Sequence, residues 1–148
     1  MKRKYIMLAG ATQCGKTTLA QFIEKRSLPK IRTMEPVYRE KTMECPGAYV
    51  ENAGLYRHLI AAAQDAACIL LLLDASAKMD FYSPGFACAF TRPVAGVITK
   101  TDVCPENVDF CRKRLQLAGV NGPIFLSDGS EAGSQGLNAL LSQYMERS

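Results

Sequence analysis

Residues 10–17 of this 148-residue chain are Gly10-Ala11-Thr12-Gln13-Cys14-Gly15-Lys16-Thr17, which matches the pattern G-x-x-x-x-G-K-[S/T]. The glycines let the backbone turn tightly, so that successive N–H groups converge on an anion. A helix that begins after such a loop adds its free N–H groups and the positive end of its dipole. In this pattern the lysine reaches the β- and γ-phosphates and the hydroxyl ligates Mg²⁺. We therefore predict a phosphate-binding loop from Gly10 to Thr18, with Lys16 and Thr17 as catalytic side chains and Thr17 as a metal ligand.

The segments on either side of this loop favour the same interpretation. Tyr5-Ile6-Met7-Leu8-Ala9 is a short apolar run that suits a buried strand. After the loop, Leu19, Phe22 and Ile23 recur at helical spacing. A strand, a loop and a helix in this order are the context in which the pattern binds phosphate, whereas an incidental glycine-rich turn needs neither neighbour.

The composition is typical of one globular domain covering residues 1–148. The formal net charge is +4, from 18 Lys and Arg against 14 Asp and Glu. This excess is small and scattered, and its densest cluster is the terminal Lys2-Arg3-Lys4. Such a distribution argues against a nucleic acid partner.

The sequence predicts neither a secretory signal nor a membrane span. The apolar run after Lys4 is interrupted at Gly10, and the run over residues 66–73 ends at Asp74, far too soon to cross a bilayer. Six cysteines include no C-x-x-C pair and His58 is the single histidine, which argues against a disulfide framework or a zinc site. We therefore expect a cytoplasmic protein in a reducing compartment.

Apolar segments alternate with amphipathic ones along the rest of the chain. Strands are predicted at residues 37–45 (two short strands), 68–74, 94–99 and 123–127, and helices at residues 55–67, 85–90, 107–117 and 136–145. This alternation predicts an α/β fold of three layers, in which helices cover both faces of a mostly parallel sheet. Ligands of such sheets bind beyond the carboxyl ends of the strands, which places Gly10, Asp74, Thr99 and Ser127 along one edge.

A second motif, Thr99-Lys100-Thr101-Asp102, follows a predicted buried strand and matches [N/T]-K-x-D. A carboxylate at Asp102 can accept hydrogen bonds from both N1–H and the N2 amino group of guanine, a pair of donors that adenine lacks. The stem of Lys100 can lie over the base, and Thr99 can tie this segment to the phosphate loop. The motif therefore favours a site for GTP and GDP over one for ATP, although a solvated turn is the alternative for the motif alone.

With both motifs in this order, the chain resembles the Ras-like GTPase superfamily of P-loop proteins. In that superfamily a further loop directs a backbone N–H at guanine O6, and Ser127-Asp128 occupies its place, with Asp128 where alanine is usual. The segment Glu44-Cys45-Pro46-Gly47 occupies the place of the D-x-x-G motif. The resemblance implies that Glu44 meets Mg²⁺ through water and that the N–H of Gly47 senses the γ-phosphate during catalysis.

Three residues depart from the superfamily pattern or are weakly defined by it. Glu44 is one methylene longer than the usual aspartate, and Ala48 stands where many GTPases carry the glutamine that orients the attacking water. Intrinsic hydrolysis is therefore expected to be slow. Thr33 is the best candidate for an additional Mg²⁺ ligand, with an ordinary loop threonine as the alternative.

Two other residues have competing interpretations. Asp74 is either a carboxylate that supports the metal or, more commonly for such a position, an N-cap or solvated strand end. Cys14 lies among N–H groups at a helix start beside Lys16, which predicts a lowered thiol pKa and high reactivity. An ordinary small loop residue is the alternative for Cys14.

The resemblance can be narrowed to the EutP/PduV family of ethanolamine and propanediol utilisation. It is carried by the chain length, the start Lys-Arg-Lys-Tyr-Ile-Met-Leu-Ala-Gly, the segment C-P-G-A-Y with Arg57-His58 soon after it, and Gln64-Asp65-Ala66-Ala67. This family implies a bacterial cytosolic protein associated with a metabolic microcompartment, with a shell protein or an enzyme as its partner. Its members are described both as nucleotide-binding accessory proteins and as acetate kinases.

Three functions remain open on this basis. The first is a slow GTPase or GTP-dependent switch with Mg²⁺ as cofactor. The second is an ATP-dependent kinase that phosphorylates a carboxylate such as acetate, for which Arg57 and His58 could supply charge, although an exposed helix surface is their commoner role. The third is a nucleotide-binding scaffold without significant turnover.

Overall fold

The computed structural model describes residues 5–30, 33–77 and 82–128. The predicted helix at residues 136–145 and the basic cluster at residues 2–4 lie outside the described residues. In the described part, no helix has both the length and the apolar composition that crossing a bilayer requires.

Six strands form one sheet in the order β2-β3-β1-β4-β5-β6. The strands are β1 (Tyr5–Ala9), β2 (Val37–Tyr38), β3 (Thr42–Glu44), β4 (Ala66–Asp74), β5 (Val94–Thr99) and β6 (Ile124–Leu126). All neighbouring pairs are parallel except β2 and β3, which pair antiparallel at the edge. The prediction of a mostly parallel sheet is confirmed.

Four α-helices lie in the described part: α1 (Lys16–Glu24), α2 (Ala48–Glu51), α3 (Tyr56–Ala62) and α4 (Val108–Leu117). Short 3₁₀ turns occupy Ala53–Leu55, Ala63–Asp65, Phe86–Ala89 and Pro105–Asn107. Gly119 follows α4 with a φ of 97° and donates its N–H to Gln116 O at 3.0 Å. A glycine in the left-handed region therefore ends this helix.

Both faces of the sheet are buried, as the continuous apolar runs in the sequence predict. Successive residues of β1 and β4 point to opposite faces, so each strand supplies side chains to two separate cores. The core on one face contains Leu19, Ala20 and Ile23 of α1, and the core on the other contains side chains of α2, α3 and α4. This three-layer arrangement confirms the predicted α/β class and leaves the carboxyl ends of β1, β3, β4 and β5 together at one edge.

The region after β3 differs from the prediction in detail. The predicted helix at residues 55–67 is divided into a 3₁₀ turn, the seven-residue α3 and a second 3₁₀ turn, and β4 begins two residues early at Ala66. The short helix α2 was not predicted. It is held by burial of Tyr49 and Val50, a tertiary effect that four residues of sequence do not reveal.

Candidate functional site

The loop after β1 wraps around the start of α1. Gln13 and Gly15 have positive φ angles of 63° and 106°, and this alternation turns successive N–H groups inward. Gly10 is packed so closely that a Cβ would lie 2.5 Å from Cys14 Sγ and 3.2 Å from Leu72 O. Because a side chain here would collide with Cys14 Sγ and press against β4, glycine at residue 10 suits the tight packing of the loop.

Lys16 lies inside this loop with only 6% of its surface exposed. Its ammonium donates to Gly10 O and Ala11 O, both at 2.8 Å. The cation is therefore held at the mouth of the loop, where the N–H groups of the loop and of α1 also converge. This arrangement matches the role of Lys16 as the side-chain cation of a phosphate cradle.

The hydroxyl of Thr17 and the carboxylate of Glu44 come together at the carboxyl end of β3. Thr17 Oγ1 donates to Glu44 Oε1 at 2.7 Å, and Arg39 Nη1 donates to Glu44 Oε2 at 2.9 Å. Arg39 and Glu44 are both largely buried in this ion pair. The longer side chain of Glu44 thus reaches Thr17, the predicted metal ligand. Arg39 fixes the orientation of the Glu44 carboxylate.

The 99–102 motif is tied directly to the phosphate loop. Thr99 Oγ1 donates to Cys14 O at 2.6 Å, as the sequence predicted. Lys100 Nζ donates to Gln13 O at 2.9 Å and forms an ion pair with Asp74 Oδ2 at 2.8 Å. The motif that would read the base and the loop that would hold the phosphates are therefore parts of one site.

Asp74 belongs to this site rather than to the solvent. Its side chain is buried and also accepts hydrogen bonds from Ser76 N and Oγ at 2.7 and 2.6 Å. Burial alone would raise the pKa of this carboxyl, but the bonds from Lys100 and Ser76 outweigh burial and lower the pKa below its ordinary value of 3.8. Asp74 therefore pairs with Lys100 as an anion, and the interpretation as a solvated strand end is wrong. Its bond from Ser76 N is of the capping kind, and its support of a metal stays a prediction.

The remaining loop of the predicted base pocket lies next to the motif. Thr101 donates through both N and Oγ1 to Ser127 O at 3.3 Å, and Ser127 N donates to Ile98 O at 2.9 Å. Asp102 and Asp128 are both exposed. The carboxylate of Asp102 is therefore accessible to a ligand at the edge where the two loops meet.

Gly47 and α2 close the other side of the phosphate loop. A Cβ at Gly47 would overlap Thr12 N and Oγ1 and would lie 2.7 Å from Thr12 Cα, so this glycine permits the contact. At the far end of α2, Glu51 Oε2 accepts from Thr12 N at 2.9 Å and Glu51 Oε1 accepts from Thr12 Oγ1 at 3.2 Å. Ala48, between them, offers no polar side chain.

Residues 2–146 match the family described as ethanolamine utilisation – propanediol utilisation, PduV-EutP. A curated relative, the propanediol utilization protein PduV of Citrobacter freundii, is 39% identical over 125 residues, which cover 84% of this chain and 83% of the relative. The chain belongs to the PduV-EutP family. The resemblance drawn from the C-P-G-A-Y segment and its surroundings is thus confirmed.

Solved structures share the fold of this PduV-EutP member at low sequence identity. A bacterial selenocysteine-specific elongation factor, EF-Sec, superposes with a TM-score of 0.71 and 18% identity over the whole chain, which spans 29% of that protein. A structure described as a probable GTP-binding protein engB gives a TM-score of 0.65 and 15% identity, covering 97% of this chain and 99% of its own. These likenesses confirm the Ras-like P-loop fold.

Two predicted roles in this family member differ in outcome. Thr33 is exposed and its Oγ1 accepts Glu35 N at 3.2 Å, which places it in a local turn of the loop before β2. Its role as a metal ligand stays a prediction. Arg57 and His58 are exposed on α3, and the His58 ring lies 5.6 Å from that of Tyr49. An exposed helix surface is therefore the better description of this pair.

The expectation for Cys14 was wrong. Its thiol is only 3% exposed and lies against Gly10 and the core beneath α1. Burial raises the pKa of Cys14 above its ordinary value of 9.0, although the charge of Lys16 acts in the opposite direction. The neutral thiol is favoured, so this residue is a packing element of the loop rather than a reactive nucleophile.

Sequence reasoning missed Arg39 and Glu51 altogether. Neither residue belongs to a recognisable motif, and Glu51 is 39 residues away from the threonine that it contacts. The one available signal was the departure at Glu44, because a longer carboxylate near the metal position needs a partner that holds it in place.

Proposed function

We propose that this PduV-EutP member binds GTP and GDP with Mg²⁺ and acts as a slow GTPase or GTP-dependent switch. The observation that carries the proposal is the hydrogen bond of 2.6 Å from Thr99 Oγ1 to Cys14 O. It joins the motif proposed to read guanine to the loop proposed to hold the phosphates, which supports a single nucleotide site.

Each part of the site has a definite task in this proposal. Most N–H groups of residues 10–18 and the ammonium of Lys16 neutralise the phosphate oxygens. The N–H groups of Thr12 and Cys14 are not among them, because they donate to Glu51 Oε2 and Ala11 O. Asp102 accepts from N1–H and N2–H₂ of guanine, while the stem of Lys100 lies over the base. Ser127 and Asp128 line the side of the base that carries O6.

The donor set at Thr17 and Glu44 suits Mg²⁺. The ion prefers hard oxygen ligands in octahedral geometry and keeps several waters, so it needs few protein ligands when phosphates supply the others. In the described part of the chain, no group of three or more His, Cys, Asp or Glu residues gathers as an all-protein metal site. When bound, the ion would neutralise charge on the β- and γ-phosphates, with Thr17 as ligand and Glu44 holding a coordinated water.

We propose slow hydrolysis because two groups that usually assist this reaction are altered. Ala48 cannot orient an attacking water, and Glu44 is constrained by its ion pair with Arg39. An arginine finger is worth about 10³–10⁵ in rate, and a water-orienting group assists the same step. Nucleotide binding requires neither group, so it persists where hydrolysis is slow.

The family and its relative named for propanediol utilization suggest where this activity is used. We propose a bacterial, cytoplasmic role in ethanolamine or propanediol utilisation, in which the nucleotide state controls contact with a microcompartment shell protein or an enzyme. No contact with nucleic acid is required.

Calorimetry with GTP, GDP and ATP, each with and without Mg²⁺, tests the binding proposal. We expect guanine nucleotides to bind at least tenfold more tightly than ATP, with hydrolysis of GTP well below about one per minute.

The same turnover assay with ATP and acetate tests the kinase alternative. Several turnovers per second with acetate, abolished in Lys16→Ala, would establish a kinase and overturn the switch. If the chain binds nucleotide but shows neither turnover nor a partner whose binding depends on the nucleotide, the scaffold function is the one that remains.

A further inference from the structure

The carboxylate of Glu51 is held on the phosphate loop by a short and well-anchored helix. Glu51 N donates to Gly47 O at 3.1 Å, and the two preceding residues of α2, Tyr49 and Val50, are buried in the core. The carboxylate accepts from both N and Oγ1 of Thr12, at 2.9 and 3.2 Å. A bidentate contact of this kind places a negative charge beside a loop whose other groups attract anions.

This contact lies on the side of the loop where the last phosphate of a triphosphate would sit. Gly47, at the start of α2, packs directly on Thr12, and the resemblance to Ras-like GTPases assigns the N–H of Gly47 to the γ-phosphate. Lys16 Nζ is bonded to Gly10 O and Ala11 O, immediately before Thr12 in the chain. A diphosphate would end short of this place, whereas a triphosphate would bring further negative charge towards Glu51.

We propose that Glu51 determines the preference between guanosine diphosphate and triphosphate, by opposing the terminal phosphate with its charge and occupying the N–H of Thr12. The inference rests on the proposed function. Two like charges a few ångströms apart repel each other at a protein surface, although less than in its interior. Because the contact is exposed, solvent and salt reduce the repulsion to a modest factor. Glu51 therefore weakens triphosphate binding and leaves diphosphate binding almost untouched.

Calorimetry on the full chain with GDP and a non-hydrolysable GTP analogue tests this inference in Glu51→Gln. The variant keeps the shape and an oxygen acceptor but removes the charge, so the analogue should bind about tenfold more tightly while GDP changes by less than twofold. Glu51→Ala, which also removes the acceptor, should shift the analogue in the same direction. Glu106→Gln removes an equal charge from an exposed position before α4 and should change neither ligand. Circular dichroism checks that each variant is folded.

The outcomes separate this inference from the function on which it rests. A wild-type chain that binds neither nucleotide would overturn both. A wild-type chain that binds both, together with an unchanged or weakened affinity of Glu51→Gln and Glu51→Ala for the analogue, would overturn the role of Glu51 alone. An increase that disappears at 0.5 M salt would support it, since screening removes a charge effect.

Discussion

Lys16 is the residue on which the proposed phosphate binding depends most directly. Its ammonium supplies the side-chain cation of the loop and also bonds Gly10 O and Ala11 O. We expect Lys16→Ala to weaken GTP binding by about 3 kcal/mol or more, because charge-assisted hydrogen bonds are worth ~1.5–3 kcal/mol each. The fold should persist, since the described apolar cores are formed by other side chains, and circular dichroism checks this. Calorimetry checks the affinity, with Lys113→Ala, an exposed lysine of α4, as the control.

Asp102 is the residue that tests base recognition. Asp102→Asn replaces one carboxylate acceptor by an amide donor, so guanine loses a partner for N1–H or N2–H₂ and xanthine, with an oxygen at that place, gains one. We expect the preference to move from GTP to XTP by at least tenfold in calorimetry. Asp109→Asn, an exposed aspartate of α4, should leave the preference unchanged. A wild-type chain that prefers ATP would contradict this assignment and favour the kinase.

Residue-level prediction from sequence succeeded where a motif specifies a local geometry. Thr99 and the phosphate loop are joined as predicted, because the motif spacing and the strand order together leave little choice. Cys14 was misjudged, because its neighbours in sequence predicted a reactive thiol while burial beside Leu72 decides its pKa. Glu51 and Arg39 were invisible, because their partners are set by the tertiary fold rather than by spacing.

At the scale of elements, Glu24 joins the end of α1 to β3. Its buried carboxylate accepts from Lys41 N and Thr42 N at 2.9 Å and from Thr42 Oγ1 at 2.8 Å. Glu24→Ala leaves these donors without their acceptor, and we expect a loss of about 2–4 kcal/mol in the free energy of unfolding. Urea denaturation measures this loss. Glu40→Ala, in the exposed turn between β2 and β3, should stay within ~0.5 kcal/mol of wild type.

The elements themselves were predictable to different degrees. Long apolar runs gave β1, β4 and β5 almost to their ends, because a strand buried on both faces has a strong composition signal. The sequence did not predict that the segment from Gly47 to Asp65 divides into α2, α3 and their 3₁₀ turns. Its short helices depend on burial of a few side chains against β1 and β3, and a periodicity over so few residues is ambiguous.

At the scale of the whole molecule, the sheet separates two cores that share no helix in the described part. Cys68 of β4 lies in the core under α1, and Cys45, just after β3, lies in the core under α2 and α3. Both thiols are about 1% exposed, and burial raises the pKa of each from its ordinary value of 9.0 to about 12. The pair can therefore report whether the two sides of the sheet unfold together, as the predicted single domain over residues 1–148 requires.

The expected sign follows from proton binding. Above pH 9 the unfolded chain loses these protons while the folded chain retains them until about pH 12, so the free energy of unfolding falls as pH rises through this window. Each thiol contributes a slope that rises from about 0.7 kcal/mol per pH unit at pH 9 to about 1.4 kcal/mol per pH unit near pH 10.5. Cys45→Ala and Cys68→Ala should each remove one such slope from a single urea transition, followed between pH 9 and 10.5. If the two variants altered two separate transitions, the cores would be independent units and the one-domain prediction would be wrong.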